Sequence, residues 1–134
     1  MALYITLKDR EKMIVNGAVI RAVGRTQICV ENVASILRGR DVMTPEEANT
    51  PAKRLYFACM MAYIDPEQID QHRDTLLALI SDLLNAFEWL EAKAICAAFA
   101  EKVARMDFYA ALTDCRWLIS YEAEAMARLP GAAA

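Results

Sequence analysis

The side chains in this chain with the most chemistry to offer are cations. Lys8, Arg10, Lys12, Arg21, Arg25, Arg38 and Arg40 all lie near the N-terminus, with Lys53 and Arg54 just beyond. Guanidinium and ammonium groups at strand edges and turns can contact phosphates and stack on unpaired bases, which is how single-stranded RNA is usually held. Cations in the same places also guard exposed strand edges against aggregation, so residue type alone leaves both uses open. Charge is divided along the chain. Residues 1–54 carry nine Lys or Arg against six Asp or Glu, a balance of +3, while 55–134 carry six against twelve, a balance of -6. The overall charge of -3 conceals a basic end, which suits an anionic partner.

A second group is the aromatic and methionine run Tyr56, Phe57, Met60, Met61 and Tyr63. Core packing is the default for such residues. Adjacent positions on a helix diverge by about 100°, however, so Met60 and Met61 cannot share one inward face. Some of the run is expected to meet the sheet, another helix or a partner protein, and a methionine-rich surface adapts well to protein binding.

Catalytic chemistry is hard to assemble. His72 is the one histidine and lies in a charged stretch, Asp70 to Asp74, where a solvated or ion-paired ring is expected. No second histidine serves a nucleophile, and no glycine-rich phosphate loop occurs. Cys29, Cys59, Cys96 and Cys115 are too far apart for a zinc pair or a redox motif and are expected to be buried thiols. Neither a metal nor a cofactor is expected. Glu46 and Glu47 read as helix-start residues, and Glu122 and Glu124 as an exposed terminal face. The chain is therefore expected to bind rather than catalyse. It carries no apolar window long enough to span a membrane and no signal-peptide pattern at its N-terminus, so a cytoplasmic location without membrane contact is expected.

The elements that must position these groups change character near residue 44. Leu3, Ile5 and Leu7 alternate with polar neighbours, the period of a half-buried strand. Asn16-Gly17 between Lys12–Val15 and Ala18–Arg21 predicts a two-residue hairpin turn, because both residues tolerate positive φ. Residues 26–31 form another β-branched run, and 33–37 offer one more. Such a sheet is marginal alone and must be covered by the rest of the chain, a second copy or a partner.

Thr44-Pro45-Glu46-Glu47 has the pattern of a capping box, predicting a short turn at 45–49, and Pro51 after Thr50 predicts a helix over 51–64. Pro66 starts another helix, ending near Asn85, with Ile69, Leu76, Leu77, Ile80, Leu83 and Leu84 as its stripe. A third carries Trp89, Leu90, Ala92, Ile95, Cys96, Phe99 and Val103 to about Arg105. The last is capped by Asp107 and turns Tyr109, Leu112, Trp117, Leu118 and Tyr121 inward. The expected fold is α+β: a small antiparallel β-rich N-terminal head over 1–43, the RNA-binding candidate, and an antiparallel helical bundle over 44–134, the protein-interaction candidate.

Several ordered segments carry a resemblance. They are Asn16-Gly-Ala-Val-Ile20, the block from Asp41 through Met43-Thr44-Pro45 to Tyr56-Phe57, Tyr63-Ile-Asp-Pro66, Asp107-Phe-Tyr-Ala-Ala111 and Leu118-Ile-Ser-Tyr-Glu122. Together they resemble the FlbT family of flagellum biosynthesis repressors over nearly the whole chain. The resemblance implies a post-transcriptional role on the 5′ untranslated leader of flagellin mRNA, lowering translation and promoting decay, with no catalytic residues. Asp9-Arg10 stands where members commonly have Pro-Gly, which is expected to alter the first turn.

The head alone is loosely similar to the carbon storage regulator type of RNA-binding protein, whose strands dimerise by interleaving. That likeness points to Lys8, Arg10 and either Arg38 or Arg40 as leading contacts and leaves a homo-oligomer open. The other expectation is an adaptor or chaperone for flagellin or another flagellar regulatory protein, acting on the message indirectly.

Overall fold

The computed structural model describes residues 2–128. Five short strands come first: β1 Leu3–Leu7, β2 Lys12–Val15, β3 Ala18–Arg21, β4 Thr26–Val30 and β5 Ile36–Arg38. They form two antiparallel sheets, β1 with β4 and the order β3-β2-β5. The alternation seen in the sequence builds a core between them. Ile5, Leu7, Met13 and Ala22 are buried there, with Val15, Ile28, Val30 and Ile36 packed around. The other face of β2-β5 is apolar too, because Ile14 and Leu37, opposite each other in register, join the helical core. The small sheets thus cover one another, and the β3-β2-β5 sheet is also covered by the helices.

The hairpin turn forms as its residues predict, with Asn16 at φ 50° and Gly17 at φ 85°, the positive values of a type I′ turn. Glycine is required at position 17 for a second reason. A Cβ there would lie 3.0 Å from the carbonyl oxygen of Ile64, so any side chain would press the hairpin tip away from the end of the first helix. The last strand begins later than the run 33–37 suggests. Asn16 holds Ser35 through both its backbone and its side chain, at 2.8 and 2.9 Å, and pairing starts only at Ile36, leaving Val33 fully exposed.

Four helices follow: α1 Pro51–Ile64, α2 Ile69–Ala86, α3 Leu90–Ala104 and α4 Phe108–Ala127. The Thr44–Glu47 box closes a single 3-10 turn, Pro45–Glu47, and α1 starts afresh with Thr50 accepting the Lys53 N–H at 3.2 Å. α1 packs against α2 and α4, and α3 against α4 and α2. Leu55, Cys59, Leu76, Ile80, Phe99, Val103, Leu112, Cys115 and Leu118 fill the centre. α3 ends with Met106 at φ 61°, where Asp107 N–H donates to the Lys102 carbonyl at 2.8 Å and Met106 N–H to Val103, a Schellman closure without the usual glycine. No helix among the described residues is long and apolar enough to cross a membrane.

Several inward expectations are corrected. Tyr109, Trp89, Leu90 and Leu77 are exposed, at 55, 53, 84 and 50%. Trp89 and Leu90 fall at the start of α3, before its buried stripe is established. Leu77 and Tyr109 are each one position from a buried residue, Leu76 and Phe108, about 100° around the helix. Cys29 is also exposed, because β4 turns it to the outer face of its sheet, whereas the other three thiols are buried. Glu122 does not belong to an exposed face. It is buried and accepts the Ala52 N–H at 2.9 Å, so α4 places a carboxylate at the positive end of α1. The expected end of the bundle, 129–134, lies outside the described residues.

Candidate nucleic-acid interface

β1 leaves the sheet at Leu7 and turns back at once into β2. The turn is Lys8-Asp9-Arg10-Glu11, closed by Glu11 N–H donating to the Lys8 carbonyl at 3.0 Å. Arg10 sits third in the turn with φ 67°, the type II pattern in which proline fits the second place and glycine the third. Arg10 N–H then donates to the Ala22 carbonyl, and Ala22 N–H to the Glu11 carbonyl, so two residues oppose one and a glycine-type bulge follows the turn. Asp9 ties the turn to the β3–β4 loop by accepting the Gly24 N–H at 2.8 Å. The expected alteration at Asp9-Arg10 is therefore not one of backbone path. The turn that Pro-Gly would make is made here by an aspartate and a left-handed arginine.

This geometry opens a cleft of about 890 Å³ beside the turn. Five of the seven candidate cations line it: Lys8, Arg10, Arg25, Arg38 and Arg40. Thr6 lines it too, with two acids, Asp9 and Glu11. Both carboxylates are already engaged within the protein. Asp9 holds Gly24, while Glu11 accepts the Lys8 N–H at 3.0 Å and pairs with Arg38 at 3.3 Å. The Lys8 backbone hydrogen bond, helped by Arg38, holds the Glu11 carboxyl below its ordinary range. Arg38 also donates to the Thr6 carbonyl at 2.9 Å, so its guanidinium bridges the open edge of β1 to the turn. It is a joint between the two sheets as well as a cleft cation.

Lys12 and Arg21 are placed elsewhere. They oppose each other across β2 and β3 and share the strand face of Ile14, not that of Met13 and Arg38, and neither lines the cleft. Strand parity separates them from the other five.

The aromatic and methionine run lies where head and body join. Tyr56 and Met60 are buried. Tyr56 Oη donates to the Asp41 carbonyl at 2.6 Å and accepts from Arg116 at 3.2 Å, and Arg116 also pairs with the Asp41 carboxylate. Burial is the main cause of the raised Tyr56 pKa. Met60 Sδ accepts the Met43 N–H at 3.3 Å. Phe57, Met61 and Tyr63 are partly buried against the same core. Tyr63 Oη meets both backbone groups of Ile36, at 3.0 Å from its nitrogen and 3.3 Å from its oxygen, satisfying the edge of β5. Met61 borders a recess of about 490 Å³ between the hairpin tip and the α1 end. His72 pairs with Asp65 at 3.1 Å. Among the described residues no cluster of metal-ligating side chains forms.

Residues 3–126, from β1 through nearly all of α4, match the family model described as Flagellar protein FlbT. The chain belongs to the FlbT family. Among FlbT relatives, a protein of Bradyrhizobium diazoefficiens named "Probable flagellum biosynthesis repressor protein FlbT 1" is 42% identical over 125 residues, covering 91% of this chain and 83% of its own. "Flagellum biosynthesis repressor protein FlbT" of Caulobacter vibrioides is 33% identical over 125 residues, covering 92% and 89%. A Caulobacter sp. protein named "Probable flagellum biosynthesis repressor protein FlbT" is 34% identical over 123 residues, covering 91% and 94%. No solved structure matches the chain. The FlbT match spans both the cleft and the head–body junction, so both lie within the part of the molecule that defines the family.

Proposed function

We propose that this protein is a post-transcriptional repressor of flagellin synthesis that holds the 5′ untranslated leader of flagellin mRNA in the cleft of its head. The observation that carries the reading is the convergence of Lys8, Arg10, Arg25, Arg38 and Arg40 on one cleft whose two carboxylates are engaged internally. Phosphate oxygens are the ligands such a surface suits, and RNA binding by cations needs no chemistry from the protein. Decay of the message is then the work of cellular nucleases acting on a transcript withdrawn from translation in the cytoplasm. Membership of a family whose relatives are named flagellum biosynthesis repressors supports the biological setting.

The test is binding of the purified chain to leader RNA beside a scrambled control. Arg10, Arg25 and Arg40 are the residues to replace with alanine, since Arg38 also holds the two sheets together. The triple variant is expected to weaken leader binding strongly while folding normally. Unchanged affinity removes the cleft from the RNA site.

A second reading has its own observation. Phe87, Trp89, Trp117 and Tyr121 form one aromatic cluster, all within 5.5 Å of Tyr121 between ring centres, with Leu90 84% exposed beside it. An adaptor for flagellin or another flagellar regulatory protein would use such a surface. Absence of RNA binding together with co-elution with flagellin favours it.

A further inference from the structure

The outer face of the β1–β4 sheet is open. Side chains alternate along a strand, and here Ile5 and Leu7 turn toward the head core while Tyr4 and Thr6 turn out. In register, Tyr4 lies opposite Cys29 and Thr6 opposite Gln27, and all four are exposed, Tyr4 at 67%. Lys8 and Arg25 continue the same two lines beyond Leu7 and Thr26, and with Thr6 they belong to the cleft lining. The face is therefore continuous with the cleft and leads from it, by two strand residues or about 7 Å, from Thr6 to an exposed ring. The paired positions of this face carry no carboxylate; Glu31 follows the last residue of β4.

We infer that this face is a platform for unpaired bases, on which a base leaving the cleft stacks on the Tyr4 ring. The inference rests on the cleft holding the RNA backbone. An aromatic ring bordered by hydroxyl and amide side chains, with cations at one end, has the parts that single-strand binding uses: a π-face, groups for base edges and charge for phosphate. A polyanion also fits the charge, since a second copy would bring the same Lys8 and Arg25 cations with it. The platform makes the bound RNA single-stranded, because paired bases in an A-form helix are stacked on each other and present no free face.

The experiment compares the wild type, Tyr4→Ala, Tyr4→Phe and the Arg10→Ala/Arg25→Ala/Arg40→Ala variant. Each is titrated with flagellin leader RNA as a single strand and annealed to its complement. Tyr4→Ala is expected to bind the single strand about 5- to 150-fold more weakly, the range for losing one aromatic–base stack. The salt slope should stay the same because no charge is removed. Tyr4→Phe, which keeps the ring, should bind like wild type, and binding to the duplex should be unaffected by either change. Wild-type affinity in Tyr4→Ala, or an equal loss on duplex and single strand, overturns the platform. So does a changed oligomeric state of Tyr4→Ala on size exclusion, which assigns the face to a contact between copies. If the triple arginine variant also binds like wild type, the cleft reading fails as well; if the triple variant alone loses affinity, only the platform is lost.

Discussion

Arg10 is the cleft cation that its backbone least favours. At φ 67° it occupies a conformation that costs a non-glycine residue roughly 1–2 kcal/mol. The same residue lines the cleft. Arg10→Gly should therefore raise stability by about 1 kcal/mol in urea denaturation while lowering affinity for leader RNA. A loss of both would instead make Arg10 a structural residue. Glu11 and Glu47 give a second residue-scale expectation. Each is held below its ordinary value of 4.5 chiefly by a backbone N–H, from Lys8 and Thr44 respectively. A carboxyl whose pKa is lowered by folding contributes fully above its unfolded value and loses that contribution as pH falls through the folded one. Urea midpoints should decline as the pH drops below 4.5, and a Glu11→Gln/Glu47→Gln variant should decline less.

At the scale of elements, Glu122 on α4 does what a local cap does elsewhere, from 70 positions away. Glu122→Ala leaves the buried Ala52 N–H without a partner and removes a negative charge from the α1 N-terminus, so a loss of about 1–3 kcal/mol is expected in chemical denaturation. Glu122→Gln, which can still accept the hydrogen bond, should lose less. Acids two positions apart near the end of a helix resemble a solvated face, yet the spacing held the signal. Ala111, Cys115, Leu118 and Glu122 follow one another by four, three and four residues and form a single buried line. The helix start at Pro51, the cap at Asp107, the Asn16-Gly17 turn and the strand alternation were all legible, because each is written in a few neighbouring residues. The start of β5 was not, because it depends on Asn16 holding Ser35 from 19 positions earlier.

Across the whole molecule, a cationic cleft on the strand region sits above an acidic helical bundle, and the two are fastened at identifiable points. Tyr63 completes the edge of β5, Arg116 and Tyr56 both hold Asp41, and Gly17 rests against Ile64. Periodicity reports which side of an element is buried but not what it meets, so the run Tyr56 to Tyr63 left sheet, helix and partner open, and only the fold puts Tyr63 against β5 and Tyr56 against Asp41. Cation placement was partly legible for the same reason. Residue type singled out seven, and the turn and strand register then brought five together while placing Lys12 and Arg21 outside the cleft. The salt dependence of leader binding tests that assembly most directly. Phosphate contacts on a single strand each add about 0.7 to the slope of log affinity against log salt, so a cleft that holds phosphates predicts a slope shallower by about 2 in Arg10→Ala/Arg25→Ala/Arg40→Ala. Identical slopes and affinities in that variant and the wild type would contradict it.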